Sequence, residues 1–151
     1  MAKTSTPVFA QNAFAKSVSL VTVNACTTRA PVVGLSALAA ANIVQLVDYA
    51  SVNGRRIDKL IIKAAGNSLT AATVAQIVGI WLYDSTTTTA YLIDEIAISA
   101  VTPSATSTSF LASKSFDPLL LPTTFGLYVS TTVTTTASTN ALTVTALGGD
   151  Y

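Results

Sequence analysis

The chain has 151 residues, enough for one domain that buries about two-thirds of its unfolded surface, and only 10% of them are charged against roughly 25% in an ordinary soluble protein. A mean hydropathy of +0.57 demands somewhere to put apolar surface, yet the longest apolar region, 32–47, is interrupted by Gly34, Ser36, Asn42 and Gln45 and falls short of the roughly 20 residues of a spanning helix. The net charge of +1 makes no electrostatic case for specific nucleic-acid binding; low charge on so apolar a chain favours self-association instead.

Residues 1–7 carry Lys3 but no apolar core behind it, so they do not read as a secretory leader, and synthesis in a cytoplasm is expected. Residues 1–16 show neither strand alternation nor helix capping, yet contain Phe9 and Phe14. They read as an extended N-terminal arm ahead of a single domain at 17–151. Burying a Phe side chain is worth roughly 1.5–3 kcal/mol, so Phe9 and Phe14 are candidate anchors on a neighbouring subunit. The rival reading folds the arm back onto its own domain.

From Ser17 onward the sequence alternates Thr and Ser with Val, Leu, Ile and aromatic residues in short runs broken by Gly, Pro, Asn and Asp. That is the pattern of strands and turns. Ser17–Val23 is the first predicted strand. The single cysteine, Cys26, excludes an intramolecular disulfide and reads as a small apolar residue. Leu35 to Ala41 resists the pattern and reads as a loop or a short helical turn leading into the second strand, Asn42–Tyr49.

Asn53-Gly54 is a strong hairpin signal before the third strand, Arg55–Ala65. Here Arg55, Lys59 and Lys63 are expected on one face by the period of two, with Arg56 nearby. This is the only basic cluster, a candidate contact for an acidic protein or nucleic-acid surface, or alternatively a solvated face that blunts a sheet edge. The fourth strand, Val74–Tyr83, is apolar on both faces. Trp81 and Tyr83 can stack on sugar but are expected to pack.

A turn at Asp84 to Thr89 predicts a hairpin to the fifth strand, Tyr91–Ser99, in which Leu92, Ile96 and Ile98 are expected to share a face. Three strands follow: a polar edge strand at Thr106–Phe110, then Phe125–Ser130 and Asn140–Leu147. Eight strands at this spacing predict an all-β, antiparallel, jelly-roll-like sandwich.

The chain has no histidine, which removes the commonest nucleophile activators, general bases and metal ligands together. Asp94 and Glu95 are adjacent on a strand, so they point to opposite faces and cannot converge as paired carboxylates. No glycine-rich turn carries the lysine and helix of a phosphate loop. A non-enzymatic protein with no metal and no cofactor is expected.

Several segments together resemble a family of short β-rich proteins from tailed-phage structural gene clusters. They are Asn53-Gly54-Arg55-Arg56-Ile57-Asp58, the run Val78 to Asp84 ending in Tyr-Asp, Glu95 followed by Ile96 to Thr106, Leu121-Pro122, and Ala146 to Tyr151. The resemblance covers about 41–151 and departs from the family at Leu35 to Ala41 and at the threonine-rich loop Thr131 to Thr139. It implies a virion component at the capsid surface, a decoration or cement subunit that stabilises the head. The partners it implies are the major capsid protein lattice and further copies of the chain, with no membrane. The alternative within the same setting is a carbohydrate- or receptor-binding module of a tail or fibre. The resemblance carries no catalytic or ligand residue.

Overall fold

β-branched and aromatic side chains fit a pleated, half-buried surface, and short hydroxyl side chains tolerate the solvent face between them. The computed structural model, which describes residues 12–49, 53–65 and 72–151, turns that alternation into nine strands and one short helix. They are β1 (Asn12–Leu20), β2 (Val32–Val33), α1 (Leu35–Ala40), β3 (Val44–Val47), β4 (Arg55–Ala64), β5 (Gln76–Asp84), β6 (Thr89–Ile98), β7 (Leu111–Leu121), β8 (Phe125–Thr131) and β9 (Leu142–Asp150). One sheet has the order β1-β9-β4-β7 and the other β2-β6-β5-β8-β3. Every pairing between strands is antiparallel, and the all-β sandwich is what forms.

Four of the pairings nest. β5 pairs with β6, β4 with β7, β3 with β8, and β1 with β9. Successive pairs fall in alternate sheets, as they must when one long paired ribbon wraps around itself. Between the sheets lies the main core, built from Leu20, Leu46, Val47, Ile57, Leu60, Ile62, Val78, Ile80, Leu127, Val129, Leu142 and Val144 among others.

The boundaries correct several expectations. Asn12 to Lys16 belong to β1, which pairs with β9 from Asn12↔Asp150 to Leu20↔Leu142; the arm therefore folds back on its own sheet from residue 12 onward. Residues 1–11, including Phe9, lie outside the described residues. Thr106–Phe110 is not a strand. The strand is β7, just beyond it, and it runs through Pro118, which an edge strand accommodates because no inward neighbour needs that missing N–H. Gly54 does take a positive φ of 102°, but it lies between β3 in one sheet and β4 in the other, so Asn53-Gly54 is a crossing and not a hairpin. The Asp84 to Thr89 turn does join a hairpin, β5–β6.

Two β-bulges decide which side chains face in. The register of β4 shifts between Ile57 and Lys59 against both neighbours. In β6 the partners jump from Asp94 to Leu92, leaving Ile93 extra. One inserted residue reverses the in-out parity of everything beyond it. Arg55 and Ile57 are therefore buried with Leu60 and Ile62, although their numbers differ by odd steps across the shift. Leu92 packs on the outer side of its sheet, while Ile96 and Ile98 face the main core, which corrects their expected common face.

The outer side of the five-stranded sheet is covered. After β1 the chain turns at Thr22, whose φ is 61°, and is tied to the strand beside it by Val23–Thr135 and Cys26–Thr131 backbone hydrogen bonds. It then reaches β2 on one edge of the sheet and crosses through α1 to β3 on the other. Beneath it a second cluster forms from Cys26, Leu38, Ile43, Trp81, Tyr83, Ala90 and Tyr128. Trp81 and Tyr83 are each 1% exposed, so both pack, as expected.

Tyr83 stacks at a tilt against Tyr49 and Tyr128, with ring centroids 5.3 and 5.1 Å away. Burial, reinforced by Tyr83 and Tyr49, pushes the Tyr128 phenol up to about 12. Because the folded value is raised, this stability is fully present below the unfolded value near 10 and is lost as pH rises through about 12. Urea unfolding midpoints should therefore fall steeply over that interval, and Tyr128→Phe should flatten the fall. Equal slopes in the two proteins would exclude Tyr128 as its source.

Candidate functional site

Among the described residues the four-stranded sheet has no such cover on its outer side. Cross-strand register sets three rows there: Ala15-Leu147-Lys59-Ser115, Ser17-Thr145-Ile61-Ser113 and Ser19-Thr143-Lys63-Leu111. Every one of these residues is exposed or half-exposed. Most carry small side chains, so the face is level, and Ser17 and Thr145 hydroxyls share a 2.8 Å hydrogen bond across it. Lys59 and Lys63 are the only charged residues of these three rows, and neither makes an ion pair among the described residues. These two like charges stand four residues apart with Ile61 between them, and the nearest carboxylate in the chain, Asp58, is taken up by Arg56 at 2.7 Å, so the lysines give the face a positive field.

Arg55 is not part of that face, because the bulge turns it inward. Its side chain is a clamp at one end of the sandwich. Nε donates to Asp150 Oδ1 at 2.7 Å, and Nη1 donates to both the backbone carbonyl and Oδ1 of Asp48 at 2.5 Å. The guanidinium also lies 5.8 Å from the ring centre of Phe14. Phe14 is thus half-buried against its own chain, between β1 and the core, and does not project as an anchor. The expected basic cluster divides into a buried structural arginine and a two-lysine face.

A cavity of about 260 Å³ opens on the opposite, covered side of the molecule. Its floor is Gly79 and Trp81 of β5 with Ser130 of β8 and Thr132 just past the end of β8; Leu92 and Glu95 of β6 and the segment Cys26 to Arg29 form its walls. Gly79 keeps it open: a Cβ there would sit 2.8 Å from Ser130 Oγ, 3.0 Å from Trp81 Nε1 and 3.2 Å from Leu92 Cδ1. Trp81 Nε1 donates to Ser130 Oγ at 2.9 Å, and at the rim Arg29 Nε donates to Glu95 Oε1 at 2.8 Å. Sequence reading did not find this site. Its residues come from four separate segments, and only the pairing of β5 with β6 and β8 brings them together.

The acidic side chains are mostly engaged elsewhere. Asp94 and Glu95 point apart, one to Lys114 of β7 and the other to Arg29. The Lys114 hydrogen bond outweighs desolvation and holds the Asp94 carboxyl below its ordinary value. Asp84 caps the β5–β6 turn through the Thr86 N–H and the Thr87 hydroxyl. Among the described residues no three His, Cys, Asp or Glu side chains cluster as metal ligands would. No family model, no curated protein and no solved structure matches the chain.

Proposed function

We propose that this chain is a structural protein of a tailed-phage virion, a capsid decoration or cement subunit that docks on the head lattice through the bare face of its four-stranded sheet. The observation that carries the reading is the asymmetry of the sandwich. One outer side has its own apolar cover, while the other is level, nearly uncharged and marked by Lys59 and Lys63. A level face of small side chains suits close packing on another protein, and two unpaired lysines select an acidic partner such as the outer surface of a shell.

The nested strand pairs support a jelly-roll reading of the sandwich. With the two-residue β2 set aside, the strands pair first with eighth, second with seventh, third with sixth and fourth with fifth, the pattern of two Greek keys rolled together. Such rolls serve in viral shells and in lectins alike, so the architecture fits the proposal without selecting it. Binding only to the assembled lattice would stabilise the head by mass action, and self-association on that lattice follows from the low charge of the chain.

The test is binding to heads that lack the protein. Lys59→Glu with Lys63→Glu should weaken it by at least about tenfold and remove most of its salt dependence, because both side chains face solvent and meet the partner through charge. The thermal transition of the free protein should move little. Unchanged head binding by the double variant, or density at the tail and none on the head, would overturn the proposal.

A further inference from the structure

The cavity beside Trp81 lies on the other sheet from the docking face, and what it does is independent of the capsid reading. Its hydrogen-bonding state is one-sided. Ser130 Oγ accepts from the Trp81 indole at 2.9 Å, Thr132 Oγ1 accepts from the Ile77 N–H at 2.9 Å, and Thr28 Oγ1 accepts from the Ala30 N–H at 3.2 Å. Each hydroxyl has spent an acceptor position and kept its proton, and none of the three donates to any described residue. Ser130 is only 4% exposed, so its proton has the cavity as its outlet. Thr28 is half-exposed and Thr132 exposed at the mouth, so the buried Ser130 hydroxyl is the one whose proton calls for an acceptor oxygen from a ligand, with the two threonines as further donors beside it.

The rim narrows the class. Arg29 and Glu95 neutralise one another, so the site has no net charge to hold a phosphate or a free carboxylate. Glu95 Oε2 remains able to accept, and the guanidinium's terminal nitrogens make no hydrogen bond among the described residues. A donor and an acceptor side by side match a vicinal diol, whose two hydroxyls accept from one and donate to the other. Leu92 and the indole edge supply an apolar wall for ring carbons. At about 260 Å³ the space is below the usual range of drug-sized sites, which starts near 300 Å³, and suits one six-membered sugar ring. We infer that the Ser130–Glu95 cavity binds a single uncharged pyranose unit of a glycan.

Trp81 is the only tryptophan in the chain, so its fluorescence reports the site directly. Glucose, galactose and N-acetylglucosamine titrated separately into the full chain should give a saturable change for at least one of them, with a millimolar dissociation constant. Glu95→Gln, which alters an exposed rim residue, should weaken that binding at least about tenfold, as should Ser130→Ala, since each removes a hydrogen bond to the ligand. Lys59→Glu with Lys63→Glu should leave it unchanged, which separates this inference from the docking proposal. The inference fails if none of the three sugars saturates or if Glu95→Gln binds undiminished. It also fails if N-acetylneuraminic acid alone binds, because that would mark a site for anions.

Discussion

Replacing Gly148 by alanine should destabilise the fold by about 3 kcal/mol or more, or prevent it from folding at all. A Cβ at this position would lie 1.8 Å from the carbonyl oxygen of Arg56 and 2.9 Å from its carbonyl carbon. Those atoms are backbone, in a strand held between β9 on one side and β7 on the other, so no side chain can swing aside. Gly148 sits opposite Ile57, where the β4 bulge brings the two backbones together. Gly34→Ala is the control. It has open space around it but a φ of 93°, and should lose only about 1 kcal/mol from backbone strain. Urea unfolding of the two variants decides the matter, and a Gly148→Ala protein as stable as Gly34→Ala would show that the strands can separate without loss.

The second large effect is expected at Arg55. It is 7% exposed and joins β4 to Asp150 of β9, to Asp48 beyond β3 and to the ring of Phe14 in β1. Breaking a buried pair by removing one partner costs about 3–5 kcal/mol when the other charge is stranded. Here the Asp48 and Asp150 side chains are 44% and 39% exposed and regain water, so Arg55→Met should lose about 2–3 kcal/mol. Arg55→Lys should not restore it, because a single ammonium cannot reproduce the planar fork that serves two carboxylates.

The clamp also predicts a pH dependence. Burial raises the Asp48 carboxyl, but the hydrogen bond and charge of Arg55 together outweigh it, and the net direction is downward. A lowered folded value contributes stability above the unfolded carboxylate value of about 3.9, and that contribution disappears as pH falls through the folded one. Acid titration of stability below about pH 4 should therefore be steeper in the wild-type protein than in Arg55→Met. Parallel acid profiles would mean that the carboxylate draws nothing from Arg55.

Most of the architecture was legible because alternation and turn chemistry agree over most of the chain. The β5–β6 hairpin was readable from its threonine turn, and β4, β8 and β9 from their apolar periods. What escaped was whatever alternation does not encode. Counting by twos placed Arg55 with Lys59 and Lys63, and Leu92 with Ile96, and in each case one inserted residue reversed the facing. Neither bulge is marked in the sequence: Ile93 is a common strand residue, and Asp58, although its type is depleted in strands, reads equally well as an exposed position in an unbroken alternation. β7 lies just beyond the expected strand Thr106–Phe110 and contains Pro118, a residue that only a position at a sheet edge makes tolerable. Sheet membership was equally hidden: Asn53-Gly54 has the chemistry of a tight turn but takes the chain from one sheet to the other. The cavity required partners far apart in sequence, and no local pattern predicts it.

The nesting of the strand pairs has a consequence for how the molecule is made. β5 and β6 are neighbours in sequence and can pair as soon as both leave the ribosome, but each enclosing pair must wait for a later strand. β1 is synthesised first of the nine and can pair only with β9, the last. During most of translation, then, β1 is an unpaired edge, and β4 lacks both of its neighbours. Closing long loops before their contacts form slows folding and exposes such edges to other chains. The sparse apolar content of β1, with alanine, serine and lysine at most of its exposed positions, leaves little for a stray strand to grip during that wait.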